Sequence, residues 1–146
     1  MCIFENFVSK DVALTVRFKP ISGQIDQAAG LVWRYQDANN YYVVRANALE
    51  DNVVLYKMKD GKRSDLKPTG SWPFAYGESA PVPREQWSTL RVIVMGAKFS
   101  VYLNDEYLFD VNDETFPGGG RVGLWTKADS VTSFDDFTIT ALEQDR

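Results

Sequence analysis

Apolar and polar residues alternate along most of this 146-residue chain, and almost nowhere do apolar residues recur at helical spacing. A period of two is the signature of strands that bury one face. "VALTVRFK" (12–19) alternates in this way until "PISG" (20–23) breaks it. "GLVWRYQ" (30–36), "YYVVRANAL" (41–49) and "VVLYKMK" (53–59) then form a meander through turns at "DANN", "EDN" and "DG". Asp-Gly between alternating runs is a strong hairpin signal. "WSTLRVIVMG" (87–96), "KFSVYLND" (98–105) and "EYLFDV" (106–111) make a second meander. After the "FPGGG" break, "GRVGLWTKADSVTSFDDFTI" (120–139) supplies two closing strands.

Between the meanders, residues 64–84 carry Pro68, Pro73, Pro81 and Pro83 with Trp72, Phe74 and Tyr76 among them. Proline cannot donate to a ladder, so this stretch reads as a long loop, held down by its aromatics or folded over a site. One-turn helices are expected only near Pro83–Gln86 and Asp113–Phe116. The expectation is one all-β domain over residues 1–146, a sandwich or jelly roll of roughly ten to twelve strands.

Composition narrows the chemistry. A net charge of −4 with no basic run argues against nucleic acid or an anionic membrane as partner. No stretch approaches the roughly 18 apolar residues of a membrane helix. "MCIFENFVSKD" has neither a basic leader nor a long apolar run, so no signal peptide is expected in this sequence. The single Cys2 excludes an intrachain disulfide. The absence of His removes Ser-His and Cys-His nucleophiles and the common transition-metal sites. Any chemistry must rest on carboxylates, Tyr, Lys or a hard oxygen-bound cation. The aromatic share of 14% suits pleated, half-buried surfaces, and it also suits the apolar faces of sugars.

Alternation assigns faces. With "DANN" as a four-residue loop, Gln36 pairs with Tyr41, Arg34 with Val43 and Val32 with Arg45. Leu31, Trp33 and Tyr35 then share an apolar core face with Tyr42, Val44, Ala46, Val53 and Leu55. Arg34, Tyr41, Arg45, Asn47, Val54, Tyr56 and Met58 share the other. That mixed face is either a solvated surface or a concave platform where Tyr rings stack on a ligand while Arg and Asn donate. Two Arg among aromatics favour the platform. In "GRVGLWTKADSV", Val122 and Leu124 point to the core, and Trp125 and Lys127 point with Arg34 and Arg45 if the strand joins the same sheet. Trp125 is then a plug closing the sandwich or a stacking platform, with Lys127 and Asp129 a surface pair or polar sugar contacts. An acid–base role for Asp129 is the third reading.

The quoted runs from Arg17 to Arg63, "WSTLRVIVMGAKFSVYLND" and "GRVGLWTKADSVTSFDDFTI" together resemble the concanavalin A-like lectin/glucanase superfamily. More closely, the chain is similar to laminin-G-like domains grouped with the 3-keto-disaccharide hydrolase family, from about Phe7 to Ile139. The resemblance implies a two-sheet antiparallel jelly roll, ligands on the concave face or its rim loops, and a secreted or periplasmic location if a leader has been removed. Laminarinase-like members carry Glu-x-Asp-x-x-Glu on one strand, a triplet this chain lacks. Many sandwich lectins hold Ca²⁺ through an Asp and backbone carbonyls, which makes Asp135 and Asp136 of "FDDF" calcium candidates.

Three functions follow as expectations. The leading one is a lectin-like module binding an oligosaccharide or polysaccharide through Arg34, Arg45, Asn47, Tyr56, Trp125 and Lys127. The second is a glycoside hydrolase or lyase of the keto-disaccharide type, with Asp129 or Asp37 as the carboxylate near the arginines. The third is a laminin-G-like protein-interaction module with a flat apolar rim.

Overall fold

In "VALTVRFKPIS" every second side chain from Val12 to Phe18 is fully buried and its neighbours are not, and the same alternation in the other runs builds two antiparallel sheets. The structure is a computed structural model that describes residues 1–25, 27–70, 77–127 and 129–142. One sheet orders β1 (Cys2–Ser9), β11 (Gly120–Trp125), β3 (Ala28–Asp37), β4 (Asn40–Asn47), β5 (Asn52–Lys59) and β6 (Lys62–Asp65), with the short β7 (Glu78–Ser79) also paired to β5. The second orders β10 (Glu106–Asn112), β9 (Lys98–Leu103), β8 (Ser88–Met95), β2 (Val12–Ser22) and β12 (Val131–Ala141). The core lies between them, with Leu14, Val16, Phe18, Leu90, Val92 and Val101 from one sheet against Leu31, Trp33, Tyr42, Val44 and Leu55 from the other.

The expected jelly-roll sandwich is what forms, with differences at its margins. Met1–Phe7 is largely strand, since β1 pairs β11 through Cys2–Leu124, Ile3–Gly123 and Phe4–Val122. Parts of the 64–84 segment are not loop: its first two residues belong to β6, and Glu78–Ser79 form β7, both adding to β5. Trp72, Phe74 and Tyr76 lie outside the described residues. Neither expected helical turn forms. The amide of Asp113 donates to Ala97 O at 2.9 Å and that of Phe116 to the Tyr42 hydroxyl at 3.1 Å. The amide of Glu85, at φ +56°, donates to Pro20 O at 2.8 Å. Tertiary acceptors take the N–H groups that a helix would have used.

The decisive departure is in β3. Its pairing with β4 runs Asp37–Asn40 at the turn but Trp33–Tyr42, Val32–Val43 and Gly30–Arg45 beyond, so the register shifts at a β-bulge. Arg34 takes φ +48° there, and the bulge exchanges two side chains. Tyr35, expected in the core, instead stacks on Tyr41 at 5.8 Å on the outward face. Arg34, expected on that outward face, is 1% exposed. Its Nε donates to Lys10 O at 3.1 Å, Nη1 to Phe116 O at 3.0 Å and Nη2 to Gly96 O at 2.6 Å. Asp11 lies 3.6 Å away, and the guanidinium sits 5.4 Å from the Phe99 ring centroid. One cation thus joins the β1–β2, β8–β9 and β10–β11 connections. Gly120 admits the bulge, because a Cβ there would stand 2.6 Å from Arg34 Cα.

Replacing Arg34 with Leu removes the donor to three loop carbonyls and the positive charge beside buried Asp11. Losing one partner of a buried ionic cluster costs about 3–5 kcal/mol. Urea unfolding followed by tryptophan fluorescence checks this; a loss below about 1 kcal/mol would show the guanidinium to be a surface-grade contact.

Candidate functional site

On the face of the seven-stranded sheet turned away from the core, antiparallel pairing sets Trp125, Gly30, Arg45 and Val54 in one row across β11, β3, β4 and β5. The adjacent row carries Gly123, Val32, Val43, Tyr56 and Asp65. Four of the six expected ligand-binding residues therefore share this face: Arg45, Asn47, Tyr56 and Trp125. Gly30 makes the arrangement possible. A Cβ there would lie 3.1 Å from Trp125 Cε3 and 2.8 Å from Val44 O, so the indole lies directly over the glycine.

The side chains do not have equal standing. Tyr56 is nearly buried: its ring meets Trp125 edge to face at 6.1 Å, and the Arg63 guanidinium covers it at 4.1 Å. It buttresses the indole rather than offering an open stacking surface. Arg45 is 2% exposed. Its Nη1 donates to Asn52 Oδ1 at 3.2 Å and its Nη2 to Glu50 Oε2 at 2.9 Å. Asn47 is buried, and its Oδ1 accepts from the amides of Gln27 at 3.3 Å and Leu49 at 2.9 Å, holding the β4–β5 turn. Among the described residues, the row presents partly exposed Trp125 to solvent, and exposed Glu50 reaches Arg45 from the β4–β5 turn.

Sequence reasoning passed over Glu50 and Asn52 as turn residues. The signal was present: Asn47 pairs with Asn52 across a four-residue loop, which brings Glu50 back over Arg45. Lys127 is exposed in the connection to β12, and its carbonyl accepts from the Ser130 amide at 2.8 Å. Arg34 is not at this site, for the reason given above. Asp129 Oδ2 accepts from the backbone amides of Gln24 at 2.8 Å and Ile25 at 2.9 Å, so the carboxylate ties down the β2–β3 connection. Asp37 likewise serves its own hairpin, accepting from the Asn39 amide at 2.8 Å and Asn40 Nδ2 at 3.0 Å. Asp135 and Asp136 flank a cation of the chain itself, Arg17 Nη1, at 4.0 and 3.3 Å. Among the described residues, no group of three or more acidic or sulfur side chains is placed to hold a metal ion.

A second polar constellation adjoins a cleft of about 400 Å³ at the Arg34 end of the sandwich, lined in part by Lys10, Asp113 and Glu114. Tyr42 OH donates to Asp113 Oδ1 at 2.6 Å. Lys57 Nζ reaches Asp113 Oδ2 at 3.3 Å and Thr115 Oγ1 at 2.6 Å. Burial by itself would raise the Asp113 pKa, but hydrogen bonds from Tyr42 and Thr115 and the Lys57 charge overcome it and hold the carboxyl below its ordinary range. Burial, then the hydrogen bond to Asp113, pushes the Tyr42 phenol above its own. Both oxygens of Asp113 are engaged, so this network binds the β10–β11 loop to the sheet.

Two measurements check this geometry. Gly30→Ala displaces the indole, shifting Trp125 resonances and costing about 1–3 kcal/mol; unchanged spectra would show that the indole does not lie there. Asp113 has a lowered pKa, so its stabilisation is present above the unfolded value near 3.9 and is lost as pH falls through the folded value. Asp113→Asn is therefore less stable than wild type at pH 7 but loses less between pH 5 and pH 2. Equal acid slopes in thermal unfolding would remove Asp113 from the ionic network.

Comparisons place this geometry among known proteins. A carbohydrate-binding module, CBM66 from Bacillus subtilis, superposes with a TM-score of 0.78 at 23% identity, over 93% of this chain and 78% of that one. The Caenorhabditis elegans galectin LEC-6 gives a TM-score of 0.61 at 13% identity, over 96% and 94%. The GH43 protein BlXynB from Bacillus licheniformis gives 0.63 at 15%, covering 91% of this chain but 28% of that one. No curated protein matches the chain in sequence. At these identities the likeness is one of fold, and it is the fold of two-sheet antiparallel jelly-roll sandwiches. A family model matches residues 3–140, nearly the full length, and the chain belongs to the 3-keto-alpha-glucoside-1,2-lyase-like domain family.

Proposed function

We propose that this chain binds a carbohydrate on the outward face of its seven-stranded sheet. The observation that carries the reading is the Trp125 indole laid over Gly30, buttressed by Tyr56 and in register with Arg45. A flat indole matches the apolar face of a pyranose. Arg45 orients Asn52 and Glu50 at the β4–β5 turn, where the Glu50 carboxylate accepts from a sugar hydroxyl and a charged acceptor makes the stronger bond. Arg45 is thus a positioning residue, and Lys127 supplies a further donor at the rim. The carbohydrate-binding module and the galectin among the structural neighbours support this reading.

Family membership and one specific contact favour a second reading, a lyase acting on a 3-keto sugar. A 3-keto group acidifies the hydrogen on C2, so elimination needs one base rather than the two flanking carboxylates of a retaining glycosidase. Glu50 would take the C2 proton, the released electron pair would form the C1–C2 double bond, and the glycosidic oxygen would leave C1 and take a proton from water. Arg45, 2.9 Å from Glu50, holds that carboxylate in place for the proton transfer.

A glycan array with wild type, Trp125→Ala and Arg45→Ala tests the binding reading. Both substitutions should weaken binding at least tenfold, about 1.4 kcal/mol, with circular dichroism unchanged. Binding that survives both would move the ligand off this face. Incubation with a 3-keto-glucoside separates the two readings: a lyase releases the aglycone and Glu50→Gln stops release while retaining binding, whereas a lectin releases nothing.

A further inference from the structure

The five-stranded sheet carries a second band of aromatic and cationic side chains on its own outward face. Register places them. Thr15 of β2 opposes Arg91 of β8, Arg91 opposes Tyr102 of β9, and Tyr102 opposes Tyr107 of β10. The intervening Leu14, Val16, Leu90, Val92 and Val101 fill the core. Trp87 precedes β8, and extending the Phe18–Ser88 pairing by one residue sets Lys19 beside it. The Arg17 guanidinium lies 4.9 Å from the Trp87 centroid and that of Arg91 lies 5.9 Å from Tyr102. Tyr102 and Tyr107 meet edge to face at 5.7 Å.

Trp87 is 41% and Tyr107 53% exposed, so core packing does not account for either ring. A lone exposed aromatic needs no explanation, but these two stand at the ends of one band of rings and cations. The charge on this band is also unbalanced. Asp135 and Asp136 flank Arg17, and Asp110 pairs with Lys98 at 3.6 Å. Among the described residues, no carboxylate comes within ion-pair distance of Arg91 or Lys19. Two cations therefore stand uncompensated on an aromatic platform of a chain whose net charge is −4.

We propose that this face is a second glycan site, distinct from the Trp125 row, and that it takes an acidic, uronate-bearing polysaccharide. Sugar rings lie on Trp87 and Tyr107, and ring carboxylates are taken by Arg91, whose fork geometry suits them, and by Lys19. A nucleic acid is disfavoured because its dense phosphate charge would meet an acidic protein with only these cations to offset it.

Affinity electrophoresis in native gels containing polygalacturonate, neutral galactan or poly(U) tests this. Wild type should be retarded by polygalacturonate at low salt and far less by galactan, and the retardation should fall as salt rises. Arg91→Gln and Trp87→Ala should each weaken it at least fivefold, whereas Trp125→Ala should leave it unchanged. All three positions have solvent-reaching side chains, and circular dichroism verifies the fold. No retardation by polygalacturonate, retardation indifferent to Arg91→Gln and Trp87→Ala, equal loss in Trp125→Ala, or stronger retardation by poly(U) would each overturn the proposal. The Trp125 reading stands or falls separately on its own glycan array.

Discussion

Arg34 sits where three connections between strands meet, and much of the molecule depends on how its charge is satisfied. A guanidinium removed from water must recover its lost hydration from fixed partners, and here the carbonyls of Lys10, Gly96 and Phe116 and the carboxylate of Asp11 provide them. Those partners come from loops joining different strand pairs in both sheets, so the cation sets their mutual spacing. Trp33, Tyr42 and Phe99 stack beneath it, with Phe99 within 5.4 Å of the guanidinium. The bulge that delivers Arg34 inward also turns Tyr35 outward, so one backbone irregularity fixes both the end of the core and part of the opposite surface.

Downstream of that bulge, register decides which side chains can cooperate. The two-residue offset between the hairpin turn and the body of β3 preserves parity, so Arg45 keeps its outward face while its partner becomes Gly30 rather than Val32. A missing side chain at Gly30 gives Trp125 somewhere to lie. Trp125 reaches that glycine through the β11–β3 pairing, whose own register shifts between Arg121 and Gly123. Rigid sheet positions hold such a row more exactly in place than loops would, which suits recognition of a flat ring.

Both outward faces combine rings with arginines, but in different states. On the seven-stranded sheet Arg45 is buried and pairs with Glu50, and Tyr56 lies under Arg63. On the five-stranded sheet Arg91 and Trp87 reach solvent. The first arrangement is preorganised, with its polar groups already oriented. The second is an open surface whose long cations reorient on contact, giving electrostatic attraction with less directional selectivity. The carboxylates that stand out in the sequence, Asp37, Asp129, Asp135 and Asp136, are spent on turns and on Arg17. Glu50, less conspicuous, stands beside buried Arg45 and itself reaches solvent.

The strands, their hairpins and the all-β sandwich were legible in the sequence, because alternation and turn residues are local properties that survive into the fold. So was the outward placement of Arg45, Asn47, Tyr56 and Trp125, since a period of two assigns faces without any knowledge of neighbours. What the sequence could not show was Arg34 turned inward, because a bulge is a choice between nearly equal local conformations that only distant carbonyls decide. It could not show that Tyr56 and Asn47 would be buried on an outward face, as their cover comes from other strands and turns. Nor could it show a cationic band on a chain with no basic run, since Arg17, Lys19 and Arg91 lie on strands brought together only by pairing. Local chemistry determined the elements and their faces; long-range contacts decided which side chains met.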